Sequence, residues 1–326
     1  MVRKTQGIVA THGVNQGVNS VSSRQKFTIA PIEGDHNLEE LTKPFAIFPG
    51  TSVESVKDKF SKTSFDLWQR YVAEDERSKL ADMSFALVHA FKSEQVAEKS
   101  ELESQDLVQQ VFVCLRIIRP TRARFVAIQY ELQEDGKPYV LRFTHPDVSM
   151  INVPESEVLN RVRMRDLTEL RRVMPAFTRM YKSGPPSIRR AIRYYEAGYS
   201  EVRDPILQFL VWMMGIQAAF QGDRIPTQSQ EKLKKEIEAE YGARDIYEDS
   251  TERDLYASEP LLVGSLLDDM FSLHDQFVHG AWIPDDFLNP KVRQSTSGQS
   301  VNRAEVLREC ASFLLRTRLL AALDRR

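Results

Sequence analysis

The feature that most constrains this chain is the run from Ile206 to Phe220, fifteen residues interrupted only by Gln208 and Gln217. A helix needs ~20 apolar residues to span a bilayer, so this run falls short and must find its apolar surroundings inside protein. It predicts a buried core helix, which in turn requires other helices around it. The chain supplies them. Helices are predicted at 155–182, 187–202, 205–221, 228–241, 260–279 and 302–324. Pro185, Pro186, Pro205, Pro226, Pro260, Pro284 and Pro290 fall at or near their joints, where proline is tolerated. Strand signals nearly vanish after about residue 155, and 285–301, holding Asp, Asn, Gln, Ser and Gly, reads as a loop.

The first half has another character. Residues 1–45 are polar and read as a loose arm with one strand at 26–32. The run 45–48 reads as a short strand ended by a turn at Pro49 and Gly50. Ser52 is predicted to cap a helix over 53–60, and Ser64 a second with Phe65, Leu67, Trp68 and Tyr71 on its apolar side. Leu80, Met83, Leu87, Val88 and Phe91 recur at helical spacing and predict a longer helix over 75–91. The charged segment 92–106 reads as a solvated helix face or a surface loop. Three β-rich runs follow at 111–118, 124–132 and 138–144, with Asp135 and Gly136 marking a hairpin between the last two. The expected class is α+β. Residues 1–155 form a mixed domain with a small antiparallel sheet, and 156–326 form an all-α bundle.

Composition narrows the function classes. Forty-four basic against forty-six acidic residues argue against a polyanion binder over the whole surface but leave room for a local patch. Cys114 and Cys310 are too few for a disulfide framework or a four-cysteine zinc site. Reduced thiols and a cytoplasmic location are expected, with no membrane association, because the first twenty residues lack a signal peptide's apolar run. The phosphate-loop, zinc-protease, nucleophile-elbow and C-x-x-C motifs are absent, and no cofactor is expected. A local patch does exist. Segment 161–203 holds eleven basic residues against four acidic ones, and arginine suits phosphate and base contacts. Arg189, Arg190, Arg193 and Tyr194 are the candidate RNA-binding residues, with Tyr181, Tyr195 and Tyr199 as further stacking surfaces. Solvated helix faces paired with the acidic segment 231–259 explain the same pattern equally well.

The histidines point to one place. His12 and His36 lie in the arm, His89 reads as a helical core or rim residue, and His145 as part of a turn. His274 and His279 instead share the segment from Leu273 to Gly280. Asp275 and His279, four apart, lie on one helical face, where a carboxylate can fix an imidazole tautomer. Two imidazoles can also divide acid and base roles in phosphodiester cleavage. His279, His274, Asp275 and Gln276 are therefore the candidate catalytic residues. Hydrogen bonding of the helix end is the competing account. His274 and His279 stand about 140° apart around a helix and do not chelate from one face, so no metal is expected.

The second half, roughly 165–326, resembles the HEPN superfamily, most closely its Apea-like branch. Three segments carry the resemblance. They are Ile188–Tyr199 with its alternating basic and aromatic positions, the apolar helix Pro205–Phe220, and Phe271–Gly280 ending in Phe277, Val278, His279 and Gly280. The resemblance implies a helical bundle that pairs into a homodimer. In active members a signature arginine and histidine make a metal-independent endoribonuclease, in which histidine helps activate the ribose 2′-hydroxyl and arginine stabilises phosphate charge. His279 matches the histidine, but His274 stands where arginine is expected. The expectation is an RNA-targeting protein, an endoribonuclease effector of a defence or stress system, with the N-terminal domain as sensor or protein-partner site. The alternative is a catalytically weak or inactive module acting in dimerisation and in RNA or protein binding. The missing arginine leans towards weak cleavage near neutral pH. On that account arginine restored at 274 raises cleavage. If His274 is instead a second acid/base, the natural chain cleaves well and arginine there loses activity.

Overall fold

The computed structural model describes residues 25–33, 36–37, 41, 43–55, 85–92, 97–121, 123–125, 128–134, 137–144, 161–202, 204–222, 230–248, 259–280, 291–294 and 300–324. The fold is α+β. Strands β1 (Gln25–Glu33), β3 (Phe45–Phe48), β4 (Thr51–Ser55), β5 (Phe85–Lys92), β7 (Ile128–Glu134) and β8 (Lys137–Thr144) form one antiparallel sheet in the order β3-β4-β5-β1-β7-β8, and β6 (Arg124–Phe125) also pairs with β1. Strand β2 (His36–Asn37) pairs in parallel with β9 (Val162–Arg163).

The antiparallel sheet is as expected but broader. The strand expected at 26–32 is β1, and it lies between β5 and β7 at the centre of the sheet rather than in a loose arm. Two further segments differ from the sequence reading. Residues 51–55 are a strand rather than a helix start. Gly50 turns the chain with φ of 80°, its carbonyl accepts from Ala90 N at 2.7 Å, and a Cβ there would lie 2.6 Å from Ala90 O. Only glycine combines that φ with that approach at no steric cost. Residues 85–92 are strand β5. Ala86, Leu87 and Val88 are buried in succession, and a strand covered on both faces loses the alternation that would have identified it.

Helix α1 (Ala97–Ile118) absorbs both the charged segment and the run 111–118, which is helical rather than β. Its last turns, Val111 to Ile117, are buried almost all round, so periodicity again gives no guide. The predicted hairpin is present, with Glu134 paired to Lys137 across residues 135–136. The segment 285–301 is not wholly loop, since β10 (Lys291–Gln294) pairs with β11 (Ser300–Asn302). The expected helix at 64–71, the turn at His145, His12, and residues 75–84 lie outside the described residues.

The remaining helices stand close to where the prolines and apolar spacing put them, except that the one expected from 155 begins only at Met164, after strand β9. They are α2 (Met164–Ser183), α3 (Pro186–Ser200), α4 (Pro205–Gln221), α5 (Gln230–Tyr241), α6 (Val263–Val278) and α7 (Arg303–Asp324). Asp204 caps α4, its Oδ1 accepting from Ile206 N and Leu207 N at 2.9 Å, with Pro205 at the first helical position. Helix α4 is the buried core helix, packed on α3 and α7. Phe209, Trp212, Met213 and Ile216 are each 0–1% exposed.

The close crossing of α3 and α4 depends on small residues. Gly198 lets the Trp212 indole lie where a Cβ would stand 2.2 Å from Nε1. Trp212 Nε1 donates to Tyr195 O at 3.2 Å, and Gln208 Nε2 donates to Gly198 O at 2.6 Å. Gln208 Oε1 also accepts from Arg308 Nη1 on α7 at 3.1 Å. One of the two glutamines that break the apolar run thus ties three helices, as a buried amide must. The described core is a single cluster that runs from Leu41 and Val53 through α1 to Leu323 and crosses residue 155.

Candidate functional site

Helix α6 carries all four candidate catalytic residues to the C-terminal end of its last two turns. The helix stops there because Gly280 takes a φ of 65° and the His279 and Gly280 amides donate back to Asp275 O and Phe277 O, both at 3.0 Å. His279 is the cap residue and is exposed.

His274 is a different kind of residue. It is only 6% exposed and packs inside the helical layer. Its Nε2 lies 3.4 Å from Gln217 Nε2 on α4. With the amide donating, Nε2 is the acceptor and the ring proton sits on Nδ1. Nδ1 faces Asp275 Oδ1 at 3.7 Å, beyond direct hydrogen-bond length. Asp275 Oδ1 accepts instead from Gln230 Nε2 on α5. Gln276 Nε2 donates to Ser272 Oγ at 3.3 Å, and its buried Oε1 has no partner among the described residues.

The structure therefore divides the four. His274, Asp275, Gln217 and Gln230 form a polar seam joining α4, α5 and α6, and His279 stands outside it. Among the described residues no hydrogen bond joins the Asp275 carboxylate to the His279 ring, so the shared helical face does not become a carboxylate–imidazole pair. What joins them is the backbone bond of the helix end. Gln217 and Gln230 were not singled out as site residues by sequence. Gln217 did carry a signal, as a polar residue inside an apolar helix. Gln230 carried none.

Burial pushes the His274 pKa below its usual 6.5, with the neighbouring Asp275 carboxylate opposing and His279 adding to the decrease. His274 is thus neutral at neutral pH, and substitution of a protonated imidazole for arginine is disfavoured where it sits. His89, half-buried on β5 with Nδ1 2.7 Å from Thr51 Oγ1, is also pushed down by burial, opposed by the Gly50 backbone. Between each lowered value and about 6.5 the unfolded chain binds a proton that the folded chain refuses. Stability is therefore expected to fall as pH drops below about 6.5, and to level off once the folded-state values are passed. Urea midpoints at about pH 7.5 and about pH 5.5 check this. The decrease should be smaller in His274→Gln than in the natural chain, and an equal decrease in both would remove His274 from the account.

The basic candidates are also divided. On α2 and α3, Arg171, Arg179, Lys182, Arg190 and Arg193 are exposed, and none of them has an ion pair among the described residues. Arg172 pairs with Glu169 and with Asp324 at 2.7 Å. Arg189 is half-buried, its Nε covered. Of the acidic segment, Glu240 is bonded by Arg318 and Glu248 by Arg244 rather than by the basic residues of α2 and α3, and 249–258 lie outside the described residues.

Two of the tyrosines correct the stacking expectation. Tyr195 and Tyr199 are 0% exposed. Tyr195 OH donates to Arg116 O at 2.8 Å, and Tyr199 OH lies 2.9 Å from Ser312 Oγ. Tyr181 is half-buried against Phe177, ring centroids 5.7 Å apart. Tyr194 is half-buried where α3 meets Gly215 of α4.

Helix α6 packs on α5 and α7, whereas α3, which carries 189–193, packs on α4, α7 and α2. An arginine standing beside His279 in place of residue 274 could come by sequence from 189–193 or from Arg253, and Arg253 lies outside the described residues. Among the described residues no three metal-ligating side chains stand together, and no helix is long and apolar enough to cross a membrane. The chain matches no family model, and comparison with curated proteins and with solved structures finds no match.

Proposed function

We propose that the chain is an RNA-targeting protein of the HEPN type whose helical half binds RNA, pairs with a second copy and cleaves weakly or not at all. The observation that carries this reading is the set of five exposed cations on α2 and α3 that have no ion pair among the described residues, in a chain whose net charge is only −2. Exposed arginines on adjoining helices suit phosphate oxygens. For the dimer that the resemblance implies, the apolar residues around α6 offer a narrow basis. Leu266, Leu267 and Phe271 are buried within the chain, Trp282 lies outside the described residues, and Leu262, Phe277 and Val278 remain exposed.

The second reading is the metal-independent endoribonuclease. It is favoured by His279, an exposed imidazole at a helix end with no partner among the described residues, free to take a 2′-hydroxyl proton. Position 274, where the resemblance expects an arginine, holds a buried neutral histidine instead, and losing such a preorganised charge costs ~10²–10³ in rate. Mixed RNAs incubated with the full chain in EDTA should be retained on the protein and cleaved slowly. His279→Ala should abolish the cleavage and leave retention unchanged. Rapid cleavage by the natural chain would favour the nuclease reading, and no retention of any RNA would overturn the proposal.

A further inference from the structure

The burial of the tyrosines says which form of RNA the basic face suits. Proteins that hold single strands combine a cationic groove with exposed aromatic rings on which bases stack. Here the cations are exposed, whereas none of the four tyrosines among them is fully so. Tyr195 and Tyr199 are sealed in the core with their hydroxyls engaged, and Tyr181, against Phe177, and Tyr194 are half-buried. Charge with little stacking surface beside it favours the backbone over the bases.

The cations are also spread out. Arg171 and Arg179 are eight residues apart on α2, about 12 Å along the axis, with Lys182 about 4.5 Å further, and Arg190 and Arg193 are about 4.5 Å apart on α3. Two short clusters and an outlier can meet phosphates on both strands of a duplex. A double helix also presents a denser row of phosphates than a flexible single strand.

Resting on the RNA reading above, we propose that the α2–α3 face binds double-stranded RNA through its phosphates, without preference for sequence. Arg171, Arg179, Lys182, Arg190 and Arg193 are its contacts, and no tyrosine takes part.

The test uses the full chain with a 20-base-pair RNA duplex, each of its single strands, and the DNA duplex of the same sequence, titrated with KCl (a length chosen to exceed the ~16 base pairs that a duplex-RNA domain spans). The RNA duplex should bind about tenfold or more tightly than either strand, with log K falling against log salt at a slope of about −4 to −5, near 0.9 per phosphate contact. The pair Arg190→Ser and Arg193→Ser should weaken duplex binding about tenfold and reduce the slope by about 2. Tyr194→Ala should leave both unchanged. Preference for a single strand, or a loss of binding in Tyr194→Ala, would overturn the duplex assignment while leaving RNA binding intact. Binding insensitive to the arginine pair would overturn the assignment of the face, and tighter binding of the DNA duplex would overturn the assignment to RNA. Failure to bind any of the four would sink the RNA reading itself.

Discussion

Trp212→Ala is expected to lower the unfolding free energy by about 3–5 kcal/mol. Trp212 is 0% exposed, meets the Tyr199 ring in a tilted contact with centroids 5.0 Å apart, and holds α3 through its bond to Tyr195 O. Alanine would remove the packing, the bond and the ring pair together. Domains are stable by only about 5–15 kcal/mol, so the loss should show as a large decrease in the urea midpoint. Gly198→Ala probes the same crossing from the other side. Alanine is worth about 1 kcal/mol over glycine in an exposed helix interior, yet its Cβ would meet the indole well inside contact distance. The net effect should be destabilising by about 1–3 kcal/mol. A loss below about 1 kcal/mol in Trp212→Ala would mean that this crossing does not anchor the helical layer.

How far the sequence could be read follows from what each segment packs against. Helices α2 to α7 were legible because most show one apolar face and proline marks their joints. Strand β5 and the end of α1 were not. Leu87 and Val88, like Val111 to Ile117, are buried whichever way they point, and an apolar run covered on all sides has no period to read. Strand β1 was legible as a strand but not as the centre of the sheet, because its partners β5 and β7 lie far along the chain.

The candidate site divides on the same principle. At the α6 end, spacing indicated that Asp275 and His279 are joined, and the backbone bond between them is there, but the carboxylate–imidazole pair it suggested is not formed. The partners that decide what His274 does could not be read from spacing. Gln217 and Gln230 reach His274 and Asp275 across 57 and 45 residues, and nothing in the segment 273–280 indicates that one of its histidines faces inwards.

That inward position alters what arginine at 274 should do. His274→Arg is expected to cost on the order of 3 kcal/mol in stability, because it buries a permanent cation where a neutral ring now sits. Gln217 presents an amide nitrogen to that position, which repels a guanidinium, and the Asp275 carboxylate is already held by Gln230. His274→Gln keeps a neutral polar group beside Gln217 and should lose much less. The two accounts of position 274 now separate on stability and rate together. If the residue is a buried element of the α4–α6 seam, His274→Arg lowers the urea midpoint and leaves RNA cleavage no faster, while His274→Gln leaves cleavage at the natural level. If position 274 is instead where phosphate charge is stabilised, the arginine variant folds stably and cleaves RNA ~10²-fold or more faster, which would require the α6 end to open and turn residue 274 towards His279. Midpoints and single-turnover cleavage rates for the natural chain and the two variants decide it. A stable, fast arginine variant would overturn the assignment of His274 to the seam.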